Sequence, residues 1–118
     1  MRVSNLLGHK NQFIVEDDNG NISFQSYDTY IAVVRNSGDA RELEIKSHYW
    51  SATTGKHMRA FLYETHMLDA VYDLIYKYKH FRTYKDFMQR TNTVKVLNGI
   101  ITVEYTDNKG KLVTYICV

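Results

Sequence analysis

Proline is absent from the 118 residues, cysteine occurs once, and no apolar run approaches the length of a membrane span. Each absence narrows the field. A lone Cys117 excludes an internal disulfide and suits a reducing compartment. Flanked by Tyr115, Ile116 and Val118, it reads as a small hydrophobe at a strand end rather than a nucleophile. The opening MRVSNLLGHKNQF lacks the apolar centre of an export signal, and no stretch reaches about 18 apolar residues, so the expected setting is the cytoplasm with no membrane partner. A net charge of +2 is too mild to imply nucleic acid by itself. With no repeat, low-complexity tract or linker, residues 1–118 read as one domain.

What is present is ordinary for a folded chain, 44% hydrophobic and 24% charged, apart from ten tyrosines. Tyrosine pairs a large apolar body with a polar tip, which suits half-buried strands and binding surfaces alike. Ser51 to His80 is the one long helical pattern, with apolar positions at Met58, Phe61, Leu62, Leu68, Val71, Tyr72, Ile75 and Tyr78. That stripe predicts an amphipathic helix covering a sheet, either one rod or two helices split near Glu64-Thr65-His66 with Thr65 capping the second. Ser51, Thr53 or Thr54 caps the first, and Thr83 caps a short helix from Tyr84 to Arg90.

The flanks read as strands. Residues 11–16 and 21–26 form a hairpin around Asp17-Asp18-Asn19-Gly20, where Asn-Gly supplies positive φ for a tight turn. Residues 27–35 form a central strand, since Ile31 to Val34 is continuously apolar. Residues 41–46 alternate, with Leu43 and Ile45 inward. After the helices, 91–97, 100–106 and 111–118 are strands divided by Asn98-Gly99 and by Asp107-Asn108-Lys109-Gly110. Met1 to Lys10 is an arm or lead-in strand. The expected class is α+β, an antiparallel sheet made of an N-terminal meander and a C-terminal hairpin packed against one or two central helices.

Catalytic signatures are missing. There is no Gly-x-Ser-x-Gly elbow, no His-Glu-x-x-His and no paired cysteine, and of the three histidines spaced nine apart, His48, His57 and His66, the last two would not share a face in one helix. A non-enzyme without metal or cofactor is expected. Two stretches carry binding chemistry. Thr53, Thr54 and Lys56 at a helix start offer hydroxyls, backbone N–H groups and a cation to one phosphate or carboxylate, although the glycine pattern of a phosphate loop is not there. A plain capping turn with Lys56 in solvent is the plainer reading. Tyr76 to Lys85, YKYKHFRTYK, interleaves Lys77, Lys79, Arg82 and Lys85 with Tyr76, Tyr78 and Tyr84. Cations beside aromatics fit an acidic patch on a protein, a nucleic acid whose bases stack, or simply a solvated helix end.

Asn11-Gln12-Phe13-Ile14, Gly20 and Phe24-Gln25-Ser26-Tyr27-Asp28-Thr29-Tyr30-Ile31-Ala32 resemble a family of small phage and mobile-element proteins of low-GC Gram-positive bacteria. The pattern continues through Trp50, Ser51, Thr53, Thr54, Gly55, Lys56, His57, Phe61 and Leu62, and the opening Met1 to Leu7 also fits. The resemblance implies origin rather than mechanism. It leads to the first two of three expectations, the third resting on the residues at the helix start. The first is a binder that inhibits a host protein, such as a nucleic-acid-handling defence complex, as anti-CRISPR proteins do. The second is an accessory nucleic-acid binder, and the third a binder of small anions or nucleotides at 53–57. A terminal strand ending at Val118 also allows pairing with a second copy.

Overall fold

The computed structural model describes residues 1–117, so Val118, expected at the end of the last strand, lies outside the described residues. Eight strands form one antiparallel sheet in chain order: β1 (Arg2–Asn5), β2 (Gln12–Glu16), β3 (Ile22–Ser26), β4 (Thr29–Ser37), β5 (Ala40–Ile45), β6 (Thr91–Leu97), β7 (Ile100–Thr106) and β8 (Leu112–Cys117). Helices α1 (Ala52–Glu64), α2 (Leu68–Tyr72) and α3 (Tyr84–Arg90) are inserted between β5 and β6. The class is α+β, as the patterning predicts. The two β sections are not separate, however. Leu43 pairs with Val94 and Glu44 with Thr93, so the helical excursion returns to the edge it left and the meander runs unbroken.

Alternation explains which face the helices cover. Phe24, Ala32, Val34, Leu43, Ile45, Val94 and Val103 line up across neighbouring strands and are all buried. They meet Met58, Phe61, Leu62, Val71, Leu74, Phe87 and Met88 from the helices, and Phe24 stacks on Phe61 with ring centroids 5.7 Å apart. The opposite face is the more polar one, although Val33 is buried there and Leu97, Ile100, Leu112 and Ile116 are exposed on it. There Glu44 accepts from Arg35 at 2.6 Å and pairs with Lys46 at 3.0 Å. Leu6, in a 3-10 turn after β1, is also completely buried, an anchor that the mixed N-terminal segment does not reveal.

The turns divide by chemistry. Asn98 (φ 53) and Gly99 (φ 78) are both left-handed, the tight two-residue turn joining Leu97 to Ile100. Around Asn19-Gly20 only Gly20 is left-handed, so that turn is the wider one with a bulge. Asp17 explains it: its carboxylate accepts from the N–H groups of Asn19 and Asn21, and Asp107 repeats the arrangement with Lys109 and Lys111.

The helical pattern is two helices. Ser51 caps α1 by accepting from the Thr54 N–H at 3.0 Å, and Thr83 caps α3 by accepting from the Asp86 N–H at 3.0 Å. Thr65 does not cap α2. It is buried, and its hydroxyl donates back to the Phe61 carbonyl at 2.9 Å, which closes α1 instead. His66 then turns left-handed (φ 61) and Met67 leads into α2. From Asp73 to Lys77 α2 widens into a π turn.

Candidate functional site: a basic cleft beside the sheet edge

The π turn ends in a helix stop that glycine normally fills. The Tyr78 N–H donates to the Asp73 carbonyl at 2.8 Å and the His80 N–H to the Leu74 carbonyl at 2.9 Å, while Lys79 between them is left-handed (φ 58). A lysine there holds a costly conformation that packing sustains, and π turns and such residues concentrate at functional sites. Lys79 opens onto a cleft of 770 Å³ lined by Tyr76, Lys79, His80, Arg82, Asp86, Arg90 and Asn108, with Ile75 and Phe81 among its walls.

Three separated segments build that cleft. The π turn and its exit bring Tyr76, Lys79, His80 and Arg82, α3 brings Asp86 and Arg90, and the β7–β8 turn brings Asn108. Arg90 joins them. It donates to Asp86 through Nε at 2.7 Å and Nη2 at 2.9 Å, to the Asn108 side chain at 3.2 Å, and to the Thr106 carbonyl at 3.4 Å. Its guanidinium also lies over the Phe81 and Tyr105 rings. Partial burial opposes ionisation of Asp86, yet Arg90 and the Arg82 N–H hold its carboxyl below the ordinary range. The cleft's one carboxylate is thus neutralised from within. Lys79 and Arg82 are exposed and enter no ion pair among the described residues.

Aromatic faces border the cations. His80 lies 4.9 Å from Tyr115, and Tyr115 stacks on Tyr105 at 5.9 Å. Burial pushes the His80 imidazole down and the Tyr105 phenol up, so both are neutral near neutral pH. Tyr76 is 68% exposed.

Of the seven residues expected to bind a partner, only Tyr76, Lys79 and Arg82 line the cleft. Lys77 is exposed outside it, over the Tyr78 ring, and Tyr78 is half-buried against the core. Lys85 is exposed on α3 but not in the cleft. Tyr84 does not present itself at all. It is 7% exposed, donates to the Gly55 carbonyl at 3.1 Å, and packs against the Trp50 indole with Arg59 over its ring. Position 84 falls on the inner face of α3, as do Phe87 and Met88, and burial pushes its phenol well up. The sequence reading missed Asp86, Arg90 and Asn108, although the i,i+4 spacing of Asp86 and Arg90 was a visible signal.

The expected anion site is not assembled. Thr54 is buried and its hydroxyl oxygen accepts from the Ser51 hydroxyl at 3.0 Å. Thr53 and Thr54 line one hollow with Tyr27 and Tyr49, whereas Lys56 lies in another with Leu7 and Tyr63. His48 bonds the Thr91 carbonyl at 2.9 Å, and His57 sits edge-on to His9 with ring centroids 4.6 Å apart. Among the described residues no three of His, Cys, Asp or Glu gather as metal ligands, and no helix is long and apolar enough to cross a membrane. Cys117 is buried, which pushes its thiol up.

A family model matches residues 1–77, well over half of the chain. The chain belongs to the DUF8033 family of unknown function. The DUF8033 match runs from β1 through the π turn, so it takes in Tyr76 and stops before Lys79, Arg82 and Arg90. Neither a curated protein nor a solved structure matches the chain.

Proposed function

We propose that this chain is a non-enzymatic binding protein whose cleft takes an acidic patch of a host protein. The observation that carries this is the internal pairing of Asp86 with Arg90, which leaves Lys79 and Arg82 as unneutralised cations beside exposed Tyr76. Aromatic rings next to unpaired cations are the composition of interface anchors. Two cations at one cleft suit a discrete pair of carboxylates better than a continuous phosphate backbone, because Lys77 and Lys85 do not line it. The likeness of the first half to phage and mobile-element proteins supports a phage-encoded inhibitor, with a nucleic-acid-handling defence complex as the target, acting in the host cytoplasm.

The second reading is nucleic-acid binding, favoured by the exposed faces of Tyr76 and Tyr115. Affinity capture of tagged protein from host lysate, with and without nuclease, separates the two. A nuclease-resistant partner lost in the Lys79→Glu, Arg82→Glu double variant supports the cleft reading. Recovery that collapses with nuclease, and affinity that falls steeply with salt, transfers the function to nucleic acid.

A further inference from the structure

The two edges of the sheet are unlike. β1 is four residues long, carries Arg2 paired with Glu16 at 2.9 Å, and ends in the buried Leu6 turn. The N-terminal ammonium beside it pairs with Asp18 at 2.6 Å. Short length and charge are the usual protections of an edge. β8 has neither. Its six residues, LVTYIC, hold no charge and no proline, and Leu112, Thr114, Tyr115 and Ile116 are all exposed. Among the described residues its outer side pairs with nothing.

The register of the β7–β8 pair says which groups face outward. The Asp107 N–H donates to the Lys111 carbonyl at 2.8 Å, and bonded pairs alternate from there. Tyr105 with Val113, Val103 with Tyr115 and Ile101 with Cys117 therefore exchange bonds, and the N–H and C=O of Leu112, Thr114 and Ile116 point away from the sheet. We infer that β8 pairs antiparallel with β8 of a second copy, about a two-fold axis through Thr114 normal to the sheet.

The strand is self-complementary about that point. A normal two-fold keeps each side chain on its own face, so opposed residues must have the same parity, and centring on Thr114 satisfies this. Leu112 then faces the partner copy's Ile116 on the polar side of the sheet, and Val113 faces Tyr115 on the helical side. The outward groups of Leu112, Thr114 and Ile116 meet their counterparts in about six inter-strand hydrogen bonds. Leu112 (54% exposed) and Ile116 (65% exposed) cover each other, and no like charges are opposed. The axis also sets both helical layers on one side of the joined sheet. Because Tyr115 touches His80, the two clefts flank the seam and face the same way.

Light scattering coupled to size exclusion, over a wide range of concentration, tests this on the full chain. Twice the chain mass is expected for the wild type. Thr114→Lys sets two ammonium groups opposite each other at the axis, and Thr114→Pro deletes the central outward N–H while leaving the β7–β8 bonds intact. Both variants are expected to run at the single-chain mass with an unchanged circular dichroism spectrum. A wild type that is monomeric throughout, or a dimer that survives Thr114→Lys in folded protein, overturns the inference.

Discussion

Arg90 and Asp86 form a two-pronged ion pair, Nε to Oδ1 at 2.7 Å and Nη2 to Oδ2 at 2.9 Å, one turn apart on α3. The pair fixes α3 to the β7–β8 turn through Asn108 and Thr106, and it decides the sign of the cleft, since an unpaired Asp86 would oppose an anionic partner. Arg90→Ala is expected to lower stability by about 2 kcal/mol, as loss of charge-assisted bonds at a partly buried site does. Arg90→Lys recovers only part of this, because an ammonium cannot reproduce the fork. Urea unfolding of the three proteins checks the order. The depressed Asp86 carboxyl contributes stability above the ordinary aspartate range, and that contribution is lost as pH falls through its folded value.

Gly55 lies against Trp50. A Cβ built there meets the indole at 2.4 Å, and the indole is backed by Tyr84 with ring centroids 5.8 Å apart. Gly55→Ala gains helix propensity of about 1 kcal/mol, but overpacking costs about 1–3 kcal/mol. A net loss of stability is expected, together with a shift in the emission of Trp50, the only tryptophan. A more stable variant with unchanged fluorescence would show that the indole moves aside freely.

Lys79 has the opposite sign. At a left-handed helix stop glycine removes the strain that a side chain imposes, so Lys79→Gly is expected to stabilise by about 0.5–1 kcal/mol. The same variant deletes a cleft cation and should weaken partner capture. Stability rising while binding falls is the signature of strain kept for function, and denaturant midpoints measured beside capture yields read both.

His57 and His80 predict a pH dependence. His57 is held below its ordinary value by burial first, then by His9 and Lys56, and His80 by burial. The folded state prefers neutral imidazoles, so the unfolded chain takes up more protons as acidity rises. Stability is therefore fully present above about 6.5, the ordinary histidine value. It declines as pH falls through that value and levels off below the depressed folded values. The melting temperature followed across this range checks the slope, and His57→Gln should flatten it.

Much of the fold was legible because its signals are local. Apolar alternation marked β2 to β8, Ser51 and Thr83 marked helix starts, and Asn98-Gly99 marked a tight turn. Where a residue had two local options, burial chose. Thr65, free to cap α2 by sequence, turned its hydroxyl back to Phe61 because it is buried, and Tyr84, counted among exposed aromatics, went into the core with Phe87. The basic-aromatic stretch was found, but only half of it faces one cleft.

The sequence by itself determined which segments are strands and helices, the Ser51 and Thr83 caps and the Asn98-Gly99 turn, since each depends on groups within about four residues of one another. Tertiary structure alone decided that β5 and β6 pair across the whole helical insertion. It also decided that Arg90 reaches across to Thr106 and Asn108, and that Tyr76, Arg82 and Asn108 share one cleft beside Tyr115. Those contacts join segments far apart in the chain. Which segments meet is set by how the Phe24–Phe61 core packs the helices on the sheet, and no local spacing encodes that.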